Sequence, residues 1–159
     1  MSNRREVRER VMQALYAQEL AGGDVRHVID TLLKPTLGED ADNLKFATSL
    51  FLRTLDMGDE ADQIISKHAE NWDLSRIALI DRILLRMAIC ELLSFEDIPP
   101  KVSINEAIEV AKRYSTPRSG QFINGILDAV LLSLQQEGRL QKSGRGLVGM
   151  QSIRDRSVS

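Results

Sequence analysis

The chain has 159 residues, of which 43% are hydrophobic and 28% are charged, and its formal net charge at pH 7 is -2. A chain of this length buries a substantial core as one globular domain and has no room for a second. It has no run of eighteen apolar residues, and no apolar block follows its arginine-rich N-terminus, so we expect a cytoplasmic protein without a membrane span or secretory signal. Its single cysteine, Cys90, excludes a disulfide framework and a zinc site built from several thiolates.

The charge is unevenly distributed along the chain. Residues 1–10 carry four arginines and two glutamates, a net charge of +2, whereas residues 138–159 carry five basic residues and one aspartate, a net charge of +4. Since the whole chain carries -2, residues 11–137 carry a net charge of -8. Basic ends on an acidic body suggest contact with a polyanion at the ends and with a basic partner on the flank, although solvated termini explain the same pattern.

Apolar residues recur at helical spacing through most of the chain, and no segment shows the alternation that is typical of a strand. We therefore predict an all-α fold, a single-domain bundle of about seven helices. Glycines and prolines delimit the first five, at about residues 4–20, 24–34, 39–57, 59–68 and 75–95. The fifth helix is apolar almost all round, which is typical of a buried central helix.

The last two helices carry their own start signals. Ser103 and Glu106 form a capping box, which predicts that the sixth helix begins at Ser103 and ends before Pro117. Ser119 is placed to cap the seventh helix. Gly125 lies inside the seventh helix at a cost of about 1 kcal/mol relative to alanine, so we expect either a close helix contact or a ligand near the backbone there.

Helical periodicity ends near residue 138. Glycine, serine and arginine dominate residues 138–159, and this composition is typical of a mobile segment. We therefore predict a helical domain at residues 1–137 and a flexible basic tail at residues 138–159.

Basic and aromatic residues share one strip of the first predicted helix. At about 100° per residue, Arg5, Arg8, Met12 and Tyr16 form a stripe beside the predicted core face. Guanidinium groups neutralise phosphates and a tyrosine ring stacks on unpaired bases, so the stripe suits single-stranded RNA. Arg4 and Arg5 also oppose the helix macrodipole, an arrangement that a bound anion would relieve. The alternative is a helix end that is merely solvated.

A second candidate RNA contact is the start of the last predicted helix. Arg118, Ser119 and the free N–H groups of the first helical turn would together form a phosphate site. Phe122 follows them, and its ring would either stack on a base or pack against a neighbouring helix.

Acidic residues in the fifth predicted helix mark a candidate contact with a protein partner. Asp81 interrupts the apolar surface of this helix, where a carboxylate needs an arginine, a backbone cap or an exposed interface. A contact with a partner and an internal pair with Arg82 or another arginine are both open. Glu91 and the acidic middle of the chain would speed the encounter with a basic protein.

No pattern in the sequence indicates catalysis. His27 and His68 lie on separate predicted helices, without the carboxylate or cysteine spacing of a catalytic triad or a metal site. We therefore predict a protein that acts by binding and is not an enzyme, with no catalytic residue, no metal ligand and no cofactor.

Four segments of the chain resemble the NusB family, the bacterial transcription antitermination factors. They are the arginine-rich opening helix with its Gln-Ala-Leu-Tyr sequence at residues 13–16, and the runs LLRMAICEL at 84–92, INEAIEVAK at 104–112 and FINGILDAV at 122–130. The resemblance spans about residues 4–135 and implies a NusB-like fold.

The resemblance also implies partners. Members of the family bind boxA, a short single-stranded RNA element of ribosomal RNA transcripts, together with NusE, a small ribosomal protein, within the antitermination complex on RNA polymerase. By position, Arg4, Arg5, Arg8 and Tyr16 would contact the RNA, and Asp81 would contact NusE. Two glutamates interleaved among these arginines lower the local positive potential.

Two alternatives stay open at the level of sequence. One is a helical protein-interaction module without RNA binding, in which the arginines of the first helix face solvent or a second copy of the chain. The other is the isolated NusB-like domain of a ribosomal RNA cytosine methyltransferase, since such a domain begins some of those enzymes. The sequence is compatible with a monomer and with a homodimer.

Overall fold

The computed structural model of the protein describes residues 3–69 and 74–157, and within these ranges the chain has no strand. The helices are α1 Arg4–Ala21, α2 Val25–Val28, α3 Lys34–Leu37, α4 Ala41–Asp56, α5 Gly58–His68, α6 Leu79–Ser94, α7 Pro100–Tyr114, α8 Ser119–Gln136 and α9 Met150–Ser157. A π-helical turn, Ile29–Leu33, joins α2 to α3, and 3-10 turns cover Leu74–Arg76 and Gly144–Leu147. All seven predicted segments are helical, which confirms the all-α class. No described helix is long and apolar enough to cross a membrane.

The helices form two compact units, Met1–Asp56 and Met57–Ser159. In the first unit α1 packs against α4. Asn3 caps α1, because its Oδ1 accepts a hydrogen bond from the Glu6 N–H at 2.9 Å. Gly22 ends the helix with a φ of 66°, a left-handed conformation that costs glycine little. The start of α1, where the arginines lie, is thus fixed by a local cap.

The second predicted helix continues past the proline that was expected to end it. Asp24 caps its start by accepting a hydrogen bond from the Arg26 N–H at 2.9 Å. A proline inside a regular α-helix clashes with the carbonyl group four residues back. Here a wider π-helical turn precedes Pro35, and the Lys34 N–H closes this turn by donating to the Ile29 oxygen. The helix then continues to Leu37.

In the second unit α6 is the central helix and contacts α5, α7 and α8. Ten of its sixteen residues are buried, as the sequence predicts for a helix that is apolar almost all round. Arg86 of α6 donates two hydrogen bonds of 2.7 Å to the carboxylate of Asp62 on α5. Such a bidentate pair holds the two helices in a defined register.

The capping box predicted at Ser103 is not formed. α7 begins three residues earlier, at Pro100, and Pro99 is its N-cap residue. Proline suits a first helical position because its fixed φ is helical and its missing N–H would have no partner there. Ser103 therefore lies inside the helix, and its buried hydroxyl donates to Glu91 Oε1 on α6 at 2.9 Å.

Residues 138–157 contain helical structure that their composition did not predict. The 3-10 turn and α9 follow α8, and Met150 and Ile153 are buried. Two apolar side chains three residues apart are too few to give a periodic pattern in the sequence, yet they anchor this segment. The flexibility of the segment stays a prediction, and residues 158–159 lie outside the described ranges.

Lys142 is a further anchor of this C-terminal segment. Its Nζ donates to the backbone oxygens of Glu91 at 3.0 Å and Phe95 at 2.8 Å. These oxygens belong to the end of α6, and each also accepts a backbone hydrogen bond, Glu91 from the Phe95 N–H at 3.1 Å and Phe95 from the Ile98 N–H at 3.2 Å. Lys142 therefore caps the central helix of the second unit from a position remote in sequence.

Candidate nucleic-acid interface

Exposed side chains lie at both ends of the predicted stripe on α1. Arg4 and Arg5 are exposed in the first turn, and Tyr16 is 38% exposed. The Arg4 guanidinium carbon lies 4.2 Å from the centroid of the Phe46 ring on α4, within the range of a cation–π contact. Arg5 and Tyr16 are eleven residues apart, so they share one face of the helix at a separation of about 17 Å.

The middle of the stripe is buried. Arg8 is 5% exposed and Met12 is 2% exposed, so neither side chain is presented on the surface of this structure, and their contact with RNA stays a prediction. The buried face of α1 is wider than its apolar pattern, and the Arg8 guanidinium carbon lies 5.3 Å from the Phe46 ring centroid. Phe46 was missed in the sequence because no spacing links it to α1. The accessible part of the stripe is therefore its two ends.

The start of α8 holds the second group of predicted RNA contacts. Arg118 is the N-cap residue and is exposed, while Phe122 is half-buried. Ser119 is 2% exposed, and its N–H donates to the Thr116 oxygen at 3.1 Å. Ser119 is therefore not the cap that the sequence predicts, its contact with a phosphate stays a prediction, and Arg118 is the accessible part of the predicted site.

Asp81 explains why Ser119 turns inward. The Asp81 side chain is 6% exposed, and a carboxylate buried to this degree needs hydrogen-bond donors. Ser119 Oγ donates to Asp81 Oδ2 at 2.9 Å, which makes Ser119, and not Arg82, its internal partner. The second oxygen, Oδ1, has no hydrogen-bond partner among the described residues.

Asp81 and the start of α8 line a single cavity within the second unit. The volume of this cavity, which we call the Asp81 cavity, is about 580 Å³. Its walls come from the turn before α6, the first turn of α6 and the corner between α7 and α8: Arg76, Ile77, Ala78, Asp81, Thr116, Arg118, Ser119, Gln121 and Phe122. The sequence pointed to four of these residues, but it assigned Asp81 to a separate protein-binding surface. The others carry no sequence signal, because only the fold brings these segments together.

Glu91, the other acidic candidate, is a buried residue. Its side chain is 2% exposed and accepts the hydrogen bond from Ser103 described above. This carboxylate is enclosed between α6 and α7, and its contribution to the encounter with a basic protein stays a prediction.

Gly125 is exposed on α8, and a Cβ atom at this position would meet no described atom within 4 Å. The expected close helix contact is therefore absent. Packing does not explain why this position is a glycine.

Comparison with known proteins gives the family. The NusB family model matches residues 5–132. The chain belongs to the NusB family. It is 57% identical over 159 residues to the transcription antitermination protein NusB of Salinibacter ruber, covering 100% of this chain and 99% of that protein. It is 44% identical over 154 residues to the protein of the same name from Chloroherpeton thalassium, covering 97% of this chain and 73% of that protein.

Solved NusB structures share the fold. T. maritima NusB matches with a TM-score of 0.74 at 38% identity, covering 81% of this chain and 90% of that one. A crystal structure of the antitermination factors NusB and NusE in complex with dsRNA matches with a TM-score of 0.72 at 24% identity, covering 80% of this chain and 94% of that one. These matches confirm the NusB-like fold predicted from the sequence.

The NusB match includes most of the candidate interface. Arg5, Tyr16 and all residues of the Asp81 cavity lie within it, and Arg4 lies one residue before it. The C-terminal segment that carries Lys142 lies outside it.

Proposed function

We propose that this NusB protein is a transcription antitermination factor that binds boxA-like single-stranded RNA together with NusE and supports transcription of ribosomal RNA operons. The exposure of Arg4, Arg5 and Tyr16 on α1 is the observation that carries the RNA part of the proposal. Arginines in a first turn sit at the positive end of the helix dipole, and a phosphate is a ligand that relieves this arrangement. Tyr16 presents a ring on which an unpaired base stacks.

The start of α8 supports RNA binding in a second region. Arg118 and Phe122 repeat the combination of a cation and an aromatic ring that occurs on α1. The guanidinium group suits a phosphate, and the ring suits a base. A binding role in two places fits a protein that acts by recognition and not by chemistry.

The family supports the choice of partners. Its relatives carry the name transcription antitermination protein, and a solved complex contains NusB, NusE and RNA. The net charge of -8 in residues 11–137 favours encounter with a basic ribosomal protein. In this proposal the protein joins the antitermination complex on RNA polymerase, where a modest RNA site and a protein interface engaged together give useful affinity.

We assign the NusE contact to no single residue. Glu91 is enclosed between two helices. Asp81, which the resemblance gave to NusE, lies in a cavity that also holds the exposed arginines Arg76 and Arg118. These two cations would repel a lysine or arginine of a basic partner.

The proposal is tested by fluorescence anisotropy with a labelled boxA-like RNA and a scrambled control, each titrated with the protein in the presence and absence of NusE. We expect tighter binding to the boxA-like RNA and a further gain when NusE is present. Equal binding to both RNAs with and without NusE would contradict the proposal. Such a result would favour the alternative of a helical protein-interaction module without RNA recognition.

A further inference from the structure

The ring of Phe46 on α4 contacts two arginines of the first helix. Its centroid lies 4.2 Å from the guanidinium carbon of Arg4 and 5.3 Å from that of Arg8. Both distances fall within about 6 Å, the range of a cation–π contact. Arg4 and Arg8 are four residues apart, so they lie on one face of α1 in consecutive turns. A single ring from a neighbouring helix therefore contacts both cations.

The two arginines lie where positive charge is unfavourable. Like charges four residues apart on a helix repel each other, and cations in a first turn oppose the helix macrodipole. Arg8 is also only 5% exposed, and a cation removed from water needs groups that stabilise it. The face of an aromatic ring carries partial negative charge. Phe46 therefore offsets part of this cost, and unlike a carboxylate it leaves the net positive charge of the helix start unchanged.

The contact with the ring leaves Arg4 able to bind a phosphate. A cation–π contact uses the charge of the guanidinium group and does not consume its five N–H donors. Arg4 is exposed, so a phosphate can reach these donors while the ring contact persists. A long side chain normally loses rotamer freedom when it binds a ligand, and a side chain that is already held in place loses less.

We propose that Phe46 is a positioning residue for RNA binding, which holds the Arg4 guanidinium in the conformation that contacts an RNA phosphate and does not itself touch the RNA. The inference rests on the proposed RNA-binding function and adds to it a residue outside α1. Phe46, Arg4 and Arg8 all belong to the compact unit Met1–Asp56. In this role Phe46 reduces the entropy cost of binding and leaves the number of phosphate contacts unchanged.

The test is a salt titration of a labelled boxA-like RNA with wild type, Phe46→Leu and Arg4→Ala. Phe46→Leu keeps an apolar side chain and removes the ring, so we expect affinity to fall by about two- to five-fold, the range of an exposed cation–π contact. The slope of log affinity against log salt should not change, because the phosphate contacts remain. Arg4→Ala removes a phosphate contact and should reduce that slope by about 1. Phe46→Tyr keeps the ring and should bind like wild type.

A double-mutant cycle separates positioning from direct stacking of a base on Phe46. If the ring acts through Arg4, Phe46→Leu should cause little further loss of affinity in a protein that already carries Arg4→Ala. An equal loss in both backgrounds would show that the ring contacts the RNA itself, and it would overturn the inference.

Urea unfolding separates positioning from a general loss of structure. RNA affinity is compared under conditions in which each variant is folded, and Phe46→Met is a second variant without a ring if Phe46→Leu does not fold. Leu52→Ala shortens a side chain on the same helix that is 40% exposed, and this control should leave RNA affinity unchanged.

The wild-type result separates this inference from the function on which it rests. Wild-type affinity for the RNA in a folded protein without the ring would overturn the role of Phe46 and leave RNA binding intact. Absence of RNA binding by the wild-type protein would overturn both.

Discussion

The surface of α1 and the Asp81 cavity both combine arginines with an aromatic ring, but only the cavity also contains a buried carboxylate. Arg4, Arg5 and Tyr16 are exposed on one helix. The cavity adds a carboxylate that is 6% exposed and fixed on one side by Ser119. Exposed cations and rings can contact an unpaired strand directly, whereas the buried carboxylate of the cavity organises the corner between α6 and α8 around them. The two regions therefore differ in how their arginines and rings are held, on one helix in the first case and by tertiary contacts in the second.

Replacing the two aromatic rings should give the largest effects. Stacking of a base on an aromatic side chain contributes about 1–3 kcal/mol, so Tyr16→Ala and Phe122→Ala should each weaken RNA binding by this amount. Both losses are measured by fluorescence anisotropy with the labelled boxA-like RNA. Tyr16→Phe keeps the ring and should bind like wild type. Unchanged RNA affinity in a folded Tyr16→Ala or Phe122→Ala protein would show that no base stacks on that ring.

Removing a phosphate contact should weaken binding to every RNA alike. Arg5→Ala should lower affinity several-fold and reduce the slope of log affinity against log salt by about 1. Arg26→Ala removes an exposed arginine from α2 of the same unit and is the matched control. Equal slopes for wild type and Arg5→Ala would show that Arg5 does not contact phosphate.

The variant Gly125→Ala tests whether a ligand approaches the backbone of α8 at this position. Since a Cβ atom there would meet no described atom within 4 Å, Gly125→Ala should stabilise the protein by about 0.5–1 kcal/mol in urea unfolding. If RNA approaches the backbone at this point, the same variant should bind RNA more weakly. A loss of stability would contradict the open environment found for this residue.

Replacing Lys142 should give the smallest change in stability at neutral pH and a pH-dependent change in stability at higher pH. Burial lowers the pKa of Lys142 from 10.5 to about 8, although nearby acidic groups, Glu91 first, oppose this. The unfolded chain then binds more protons than the folded one between pH 8 and 10.5, so stability rises with pH in that window. Lys142→Met removes two hydrogen bonds, which lowers stability, and it also removes the cost of burying a charged ammonium group, which raises stability. Because these two effects oppose each other, the stability near neutral pH should change by about 1 kcal/mol or less.

The matched measurement is urea unfolding of wild type and Lys142→Met below pH 8 and between pH 8 and 10.5. The advantage of wild type should grow through the upper window and be constant below it. A constant difference at all pH values would show that burial does not lower the pKa of this lysine.

The fold was largely predictable because apolar periodicity locates helices without knowledge of their neighbours. Helix starts were less predictable, since capping serines have competing uses. Ser103 and Ser119 both have the side chain of a cap, but each donates to a buried carboxylate instead, Glu91 and Asp81 respectively. A buried carboxylate without a donor is more costly than a missing cap, and the sequence does not show which carboxylates are buried.

The candidate site was predictable only where its residues lie on one face of a single helix. The wheel of α1 identified Arg5 and Tyr16, but it gave no information on the packing that buries Arg8 and Met12. The Asp81 cavity depends on three segments separated along the chain, so its residues appeared in the sequence as an RNA contact and a separate protein contact. Tertiary contact joins them into one site.

The most direct test of RNA recognition by this protein is a salt titration of the wild-type protein with a boxA-like RNA and with oligo(U) of the same length. Our account predicts that log affinity falls with log salt at a similar slope for both RNAs, because the arginines contact phosphates in either. It also predicts an offset in favour of the boxA-like RNA at every salt concentration, because base contacts add to the phosphate contacts only when the sequence fits. Coincident lines, or affinities that do not depend on salt, would contradict it.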